Sequence, residues 1–181
     1  MDDISLHILD IAENSAAAGA RNIAIRITED PEADSLTLEI EDDGCGMDAE
    51  TAARAADPFF SAKGKKFGLG IPFLEQAAQE TGGGLRIDSR PGRGTKLTSS
   101  FGLSHIDMKP IGDIGQSVMA LVGGHPDVRV VFEYRRGTCR FYFDTDKLNE
   151  GDIQEGGPAS FPDRLLVIKA MINNGIQRRQ M

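Results

Sequence analysis

The apolar residues of this chain change their period several times, and each change marks an element. Leu6, Leu9 and Ile11 recur at helical spacing within "SLHILDIAENSAAAGA", which predicts a helix over residues 5–18 ending near Gly19. "RNIAIRITED" then switches to period two through Ile23, Ile25 and Ile27, and "DSLTLEIEDDG" repeats it through Leu36, Leu38 and Ile40. These are two strands joined by the turn-rich "TEDPEAD". Asp48 is placed to cap a short helix over residues 49–56. The aperiodic "DPFFSAKGKKFGLGIP" reads as a loop. "PFLEQAAQETGGG" reads as a helix with Phe73, Leu74, Ala77 and Ala78 apolar and Gly82 near its C-terminus. "LRIDSRPGRGTKLTSSFGL" reads as a hairpin around Pro91 to Gly94.

The pattern shifts at "GLSHIDMKPIGD", so a boundary is expected there, with one domain over residues 1–104 and a smaller α/β extension over 105–181. In the extension, Ile114, Val118, Leu121 and Val122 keep helical spacing. "VRVVFEYRRGTCRFYFDT" predicts a hairpin turning at Arg136-Gly137, "KLNEGDIQEGGPASFPD" a loop, and "DRLLVIKAMINNG" a closing helix followed by a polar tail, "IQRRQM".

Composition narrows the setting. The 181 residues carry a net charge of −8 and a pI near 4.9, which argues against nonspecific binding to nucleic acid or to an anionic membrane. Cys45 and Cys139 form no CxxC pair, so a reduced, cytoplasmic chain is expected. The N-terminus lacks the basic and apolar regions of a signal peptide, and no apolar run approaches the ~20 residues of a membrane span.

Four short constellations carry candidate chemistry. Asp10 and Asn14 lie four residues apart and share a helix face, with His7 on the same side. An asparagine carbonyl is a hard oxygen ligand suited to Mg²⁺, and a carboxylate one turn away can orient water or take a proton. A plain solvent-facing stripe would look the same. Asp42 keeps the parity of Leu36, Leu38 and Ile40, so a carboxylate continues the core side of its strand, where it needs a donor. Gly44 and Gly46 follow it at once, and glycines there admit a flat ligand close to the backbone; a simple acidic turn is the alternative. "KFGLGIPF" places Gly68, Leu69 and Gly70 before a helix N-terminus, where free N–H groups and the dipole favour phosphate, and Lys63, Lys65 and Lys66 precede it. The spacing fits neither G-x-x-x-x-G-K-[ST] nor G-x-G-x-x-G. Thr95, in "GRGTKL", has the parity of Leu97 and Phe101, so its hydroxyl is expected inside, near Asp42.

Acid-x-x-x-Asn on a helix, D-x-G-x-G after a strand, G-L-G before a helix and G-T opening a strand occur here in that order. This order resembles the GHKL superfamily: the ATPases of gyrase B, Hsp90, histidine kinases and DNA mismatch-repair proteins. The resemblance covers about residues 4–102 and is nearest to the histidine-kinase ATPase domain. It implies an α+β fold, a two-layer α/β sandwich of the Bergerat type, here with a small C-terminal α/β extension. It implies ATP and Mg²⁺ as ligands. Asn14 would coordinate Mg²⁺, and Asp42 would bind the adenine amine with a water held by Thr95. Gly44 and Gly46 would let the base stack closely. Residues 57–67 would form a lid with Lys63 as a phosphate contact, and Gly68, Leu69 and Gly70 would hold phosphates. Asp10 stands where the hydrolysing members usually have Glu, and would be the base, with Glu13 and His7 the next candidates. Lys66 and Ile71 replace a Gly and a Leu of the usual loop, which favours binding over fast turnover.

No dimerisation helix with a phosphoacceptor histidine is expected ahead of the first helix, and the extension is too small for a gyrase-type transducer. Two readings follow. One is an ATP-binding regulatory protein that phosphorylates or switches a protein partner, as the anti-sigma-factor serine kinases do. The other is a nucleotide-gated interaction module with little catalysis. The extension is expected to dock a protein partner or a second copy of the chain.

Overall fold

The computed structural model describes residues 3–57, 69–148 and 161–180. The chain alternates helices and strands as α1 (Ile4–Ala17), β1 (Asn22–Asp30), β2 (Ser35–Asp42), α2 (Ala49–Arg54), α3 (Gly70–Glu80), β3 (Gly84–Ser89) and β4 (Thr95–Gly102). It continues as α4 (Ile114–Gly124), β5 (Arg129–Arg136), β6 (Cys139–Asp144), a 3-10 turn (Thr145–Lys147) and α5 (Phe161–Gln180). The strands form one six-stranded sheet in the order β3-β4-β2-β1-β5-β6. Every pairing is antiparallel except that of β1 with β5.

Period-two patterning decides which face is covered. Ile25 sits opposite Ile40, Ile40 opposite Leu97, and Ile25 also beside Phe132. These residues are buried with Ile23, Ile27, Leu36, Leu38, Val130 and Tyr134 into a single apolar layer. α1, α3 and α5 lie on that layer, and α4 lies between α1 and α5, which gives a two-layer α+β architecture. The opposite face is polar and laced with ion pairs such as Arg26–Glu41 and Lys96–Glu39. Residues 105–148 and 161–180 therefore extend the same sheet and helical layer: β5 completes β1, and Ile114, Val118 and Leu121 join the core that holds Ile4 and Ile8.

The start of α1 is pinned by this later segment. Ile4 N and Ser5 N donate to the carbonyls of Pro110 and Ile111, and Ser117 Oγ donates to Ser5 O over 2.8 Å. Asp48 caps α2 through Thr51 N, as its position before the helix predicts. One expectation needs correction. The polar "IQRRQM" is not a tail: α5 runs on through it to Gln180, because Ile176 remains buried and Gly175 lets the helix lie against Phe141, whose ring a Cβ would meet at 2.4 Å.

Candidate functional site

A cavity of about 520 Å³ opens between α1, the end of β2 and the start of β4. Ile11, Ile40, Met47, Ile71 and Leu97 make its walls apolar, while Asn14, Ser15, Asp42 and Thr95 supply convergent polar atoms. An apolar cleft with a few placed polar groups is the usual form of a small-molecule site.

Asp42, the last residue of β2, is the polar centre. Its Oδ2 accepts from Ser15 Oγ at 2.7 Å, and its Oδ1 accepts from Gly44 N at 2.9 Å and Thr95 N at 3.3 Å. Every one of these donors is neutral. Register brings Thr95 directly opposite Asp42, because β4 pairs antiparallel with β2. Ser89 Oγ lies 2.8 Å from Thr95 Oγ1, donates to Gly94 O and accepts from Met47 N. A hydroxyl has one proton, so with Ser89 committed to Gly94 the proton between the two hydroxyls comes from Thr95. Thr95 Oγ1 is then left as an acceptor. Ser15 and Ser89 were not singled out by sequence reasoning; the available signal was their position, Ser15 beside Asn14 and Ser89 paired with Thr95 across the hairpin.

The glycines divide by task. Gly46 lines the cavity with φ of +63°, and a Cβ there would meet Arg90 O at 2.0 Å and Gly94 O at 2.9 Å. Its lack of a side chain lets the β3–β4 turn close over the end of β2. Gly44 does not line the cavity. It sits behind Asp42, its amide bound to that carboxylate and its Cα against Ala18.

Asn14 faces the cavity from α1, and its amide nitrogen is buried without a hydrogen-bond partner among the described residues. One turn earlier, the Asp10 carboxylate lies against Gly70, the first residue of α3, where a Cβ would stand 1.8 Å from Asp10 Oδ2. Leu69, the N-cap of α3, makes no side-chain capping bond, so among the described residues no cap takes the first N–H groups of α3. Asp10, Leu69 and Gly70 thus adjoin one end of the cavity, and Asp42 and Thr95 the other. Lys63, Gly68 and the expected lid, apart from Asp57, lie outside the described residues.

Two expectations about proton transfer fail. His7 is fully buried, and burial, with Lys109 nearby, lowers its pKa from 6.5 to about 4, so it is neutral at physiological pH and does not line the cavity. Glu13 turns away to His125, with Oε2 and Nε2 2.7 Å apart, and so ties α1 to the end of α4. Asp10 is the acid left beside the start of α3.

The donor set accommodates a magnesium nucleotide. Asn14 offers one hard oxygen, and among the described residues no group of three or more His, Cys, Asp or Glu side chains could hold a metal ion. Mg²⁺ is commonly held by one or two protein oxygens, with phosphates and water completing the octahedron.

Comparison with known proteins agrees with this geometry. Residues 2–105, more than half of the chain, match the family described as histidine kinase-, DNA gyrase B-, and HSP90-like ATPase. A sensor protein kinase, FleS, of Pseudomonas aeruginosa is 38% identical over 91 residues, covering 50% of this chain and 23% of that protein. The signal transduction histidine-protein kinase AtoS of Escherichia coli is 34% identical over 92 residues, covering 50% of this chain and 15% of that protein. The chain spans less than a quarter of the length of these relatives. The N-terminal domain of a DNA repair protein has a similar fold, with a TM-score of 0.54 at 14% identity over 80% of this chain and 53% of that one. By its family match, its ordered motifs and its two-layer fold, the chain belongs to the histidine kinase-, DNA gyrase B- and HSP90-like ATPases.

Proposed function

We propose that this protein is a regulatory protein that binds MgATP and phosphorylates or switches a protein partner. The observation that carries the reading is Asp42: a carboxylate lining an apolar cavity, held among the described residues by neutral donors and beside a threonine with a free acceptor. That arrangement suits the exocyclic amine of adenine, with Thr95 holding a water at the ring edge. Ile11, Ile40, Met47 and Leu97 would flank the base. Asn14 would hold Mg²⁺ through its carbonyl oxygen, and the metal would neutralise charge on the phosphates. The N–H groups at the positive end of α3, from Leu69 and Gly70, would receive phosphate oxygens.

In phosphoryl transfer, Asp10 would accept the proton of the attacking hydroxyl or water. The likeness to sensor kinases supports transfer to a protein. The contact of Asp10 with Gly70 supports the second reading, a nucleotide-gated interaction module: an aspartate is one methylene shorter than glutamate, and a ~1 Å misplacement costs about a hundredfold in rate. We assign residues 1–104 to the nucleotide and 105–181 to docking of the partner, which can be a second copy of the chain. A cytoplasmic setting fits the free thiols of Cys45 and Cys139 and the absence, among the described residues, of a helix long and apolar enough to cross a membrane.

The test is a pair of titrations. Asn14→Ala should weaken MgATP more than metal-free ATP. Equal losses would remove Asn14 from the metal. An ATP-dependent mass shift of one phosphoryl group on a co-purifying protein, lost in Asp10→Asn while ATP binding persists, would separate transfer from gating.

A further inference from the structure

We propose that His7 is a positioning residue: its buried imidazole sets the first turn of α3, at Gly70, against the helix that carries Asp10 and Asn14, and so fixes the phosphate end of the pocket. This rests on the nucleotide reading above.

His7 is 0% exposed, and neither ring nitrogen makes a hydrogen bond of good geometry among the described residues. A phenylalanine or leucine would fill a similar volume without burying an unmatched N–H and lone pair, so packing alone does not account for an imidazole here. The polar group placed to meet the ring is the Gly70 backbone, near enough to bond it weakly and so favour the protonated ring, against the larger effects of burial and of Lys109, but not in the geometry of a full hydrogen bond. Asp3 is the remaining charged side chain facing the ring. His7 and Asp10 stand one turn apart on α1, and both abut Gly70; the carboxylate of Asp10 leaves no room for a Cβ there.

Gly70 is also where α3 begins, with an N-cap that makes no side-chain bond. A phosphate drawn to the first N–H groups shifts that turn, and a small shift brings the Gly70 backbone into full hydrogen-bond geometry with the ring. The start of α1 does not give way, because Ile4 N and Ser5 N are bonded to Pro110 O and Ile111 O. The imidazole thus finds its partner when phosphate is bound.

The experiment compares the full-length wild type with His7→Phe and His7→Gln, reading thermal unfolding and the affinities for MgATP and for AMP, which lacks the outer phosphates. His7→Phe should unfold at the same or a higher temperature, bind MgATP about tenfold more weakly and bind AMP as wild type does. His7→Gln, which keeps a polar end, should recover part of the loss. Wild-type MgATP affinity in His7→Phe, or an equal loss for AMP, would overturn the assignment. Should His7→Phe not fold, the ring ¹⁵N shifts of wild-type His7 decide: MgATP should move one nitrogen to its hydrogen-bonded value, and unchanged shifts overturn the proposal. A wild type that binds no nucleotide overturns the functional reading as well, so the two failures are distinguishable.

Discussion

Two aspartates end two strands of the same sheet and are treated in opposite ways. Asp144 closes β6 and has a side chain with no exposure. Arg129 grips it with two bonds, Nε to Oδ1 at 3.0 Å and Nη2 to Oδ2 at 2.7 Å, which pulls its pKa from 3.8 to about 2 despite burial. Asp42 closes β2 and has no cation within ion-pair distance among the described residues; a serine hydroxyl and two backbone amides hold it. The fork of an arginine uses up the acceptor capacity of a carboxylate and neutralises it. Neutral donors fix the position of a carboxylate while leaving its charge for a ligand. The first aspartate fastens β6 to β5, and the second faces a cavity.

The largest effect should come from the first of the pair. Arg129→Met takes the two-bond grip from a buried carboxylate, leaving it only Tyr142 Oη, the Asp146 amide and the more distant Lys147, and should lower the unfolding free energy, read by urea denaturation. Nucleotide affinity should not change, since Arg129 does not line the cavity. A loss of affinity larger than the loss of stability would show that the two ends of the sheet are coupled.

Acid should separate further groups by pH window. His7 titrates near 6.5 when unfolded and near 4 when folded, so between these values only the unfolded chain binds the proton. Stability should therefore fall as pH drops from about 6.5 and be lower by roughly 3 kcal/mol at pH 4. The contribution of Asp144 is complete above 3.8 and is lost as pH falls through about 2. Urea midpoints at pH 7, 5 and 3 should show the first loss in wild type and not in His7→Phe. A His7→Phe variant with the wild-type slope would place the acid sensitivity elsewhere.

Ser15→Ala is the gentlest change. It removes one donor from Asp42, which keeps two amides, and should cost about 1 kcal/mol in ATP affinity, or roughly fivefold, with unfolding little altered. An unchanged affinity would mean that the two amides alone hold the carboxylate for the ligand.

Much of this was legible in the sequence, for physical reasons. Parity along a strand fixes which face a residue takes, so Asp42 and Thr95 could be placed on the core side, and antiparallel register then made them neighbours. The spacing of Asp10 and Asn14 put both on one helix face. What spacing does not give is what covers that face. His7 shares it with Asn14, yet His7 is fully buried while Asn14 lines the cavity. Glu13 looked like a spare acid until α4 brought His125 to it from over a hundred residues away. The parallel pairing of β5 with β1 was equally hidden, because alternation marks a strand without naming its partner. The polarity of "IQRRQM" suggests a tail, whereas one buried isoleucine per turn, through Ile168, Ile172 and Ile176, suffices to hold α5 on the sheet.

The central claim is that Asp42 keeps its charge for adenine. Calorimetric titration of MgATP into wild type and Asp42→Asn tests it directly. Wild type should bind, and Asp42→Asn, folded with a near wild-type unfolding midpoint, should bind at least about tenfold more weakly, the cost of losing a charge-assisted buried hydrogen bond. Equal affinity in the two proteins would contradict the account.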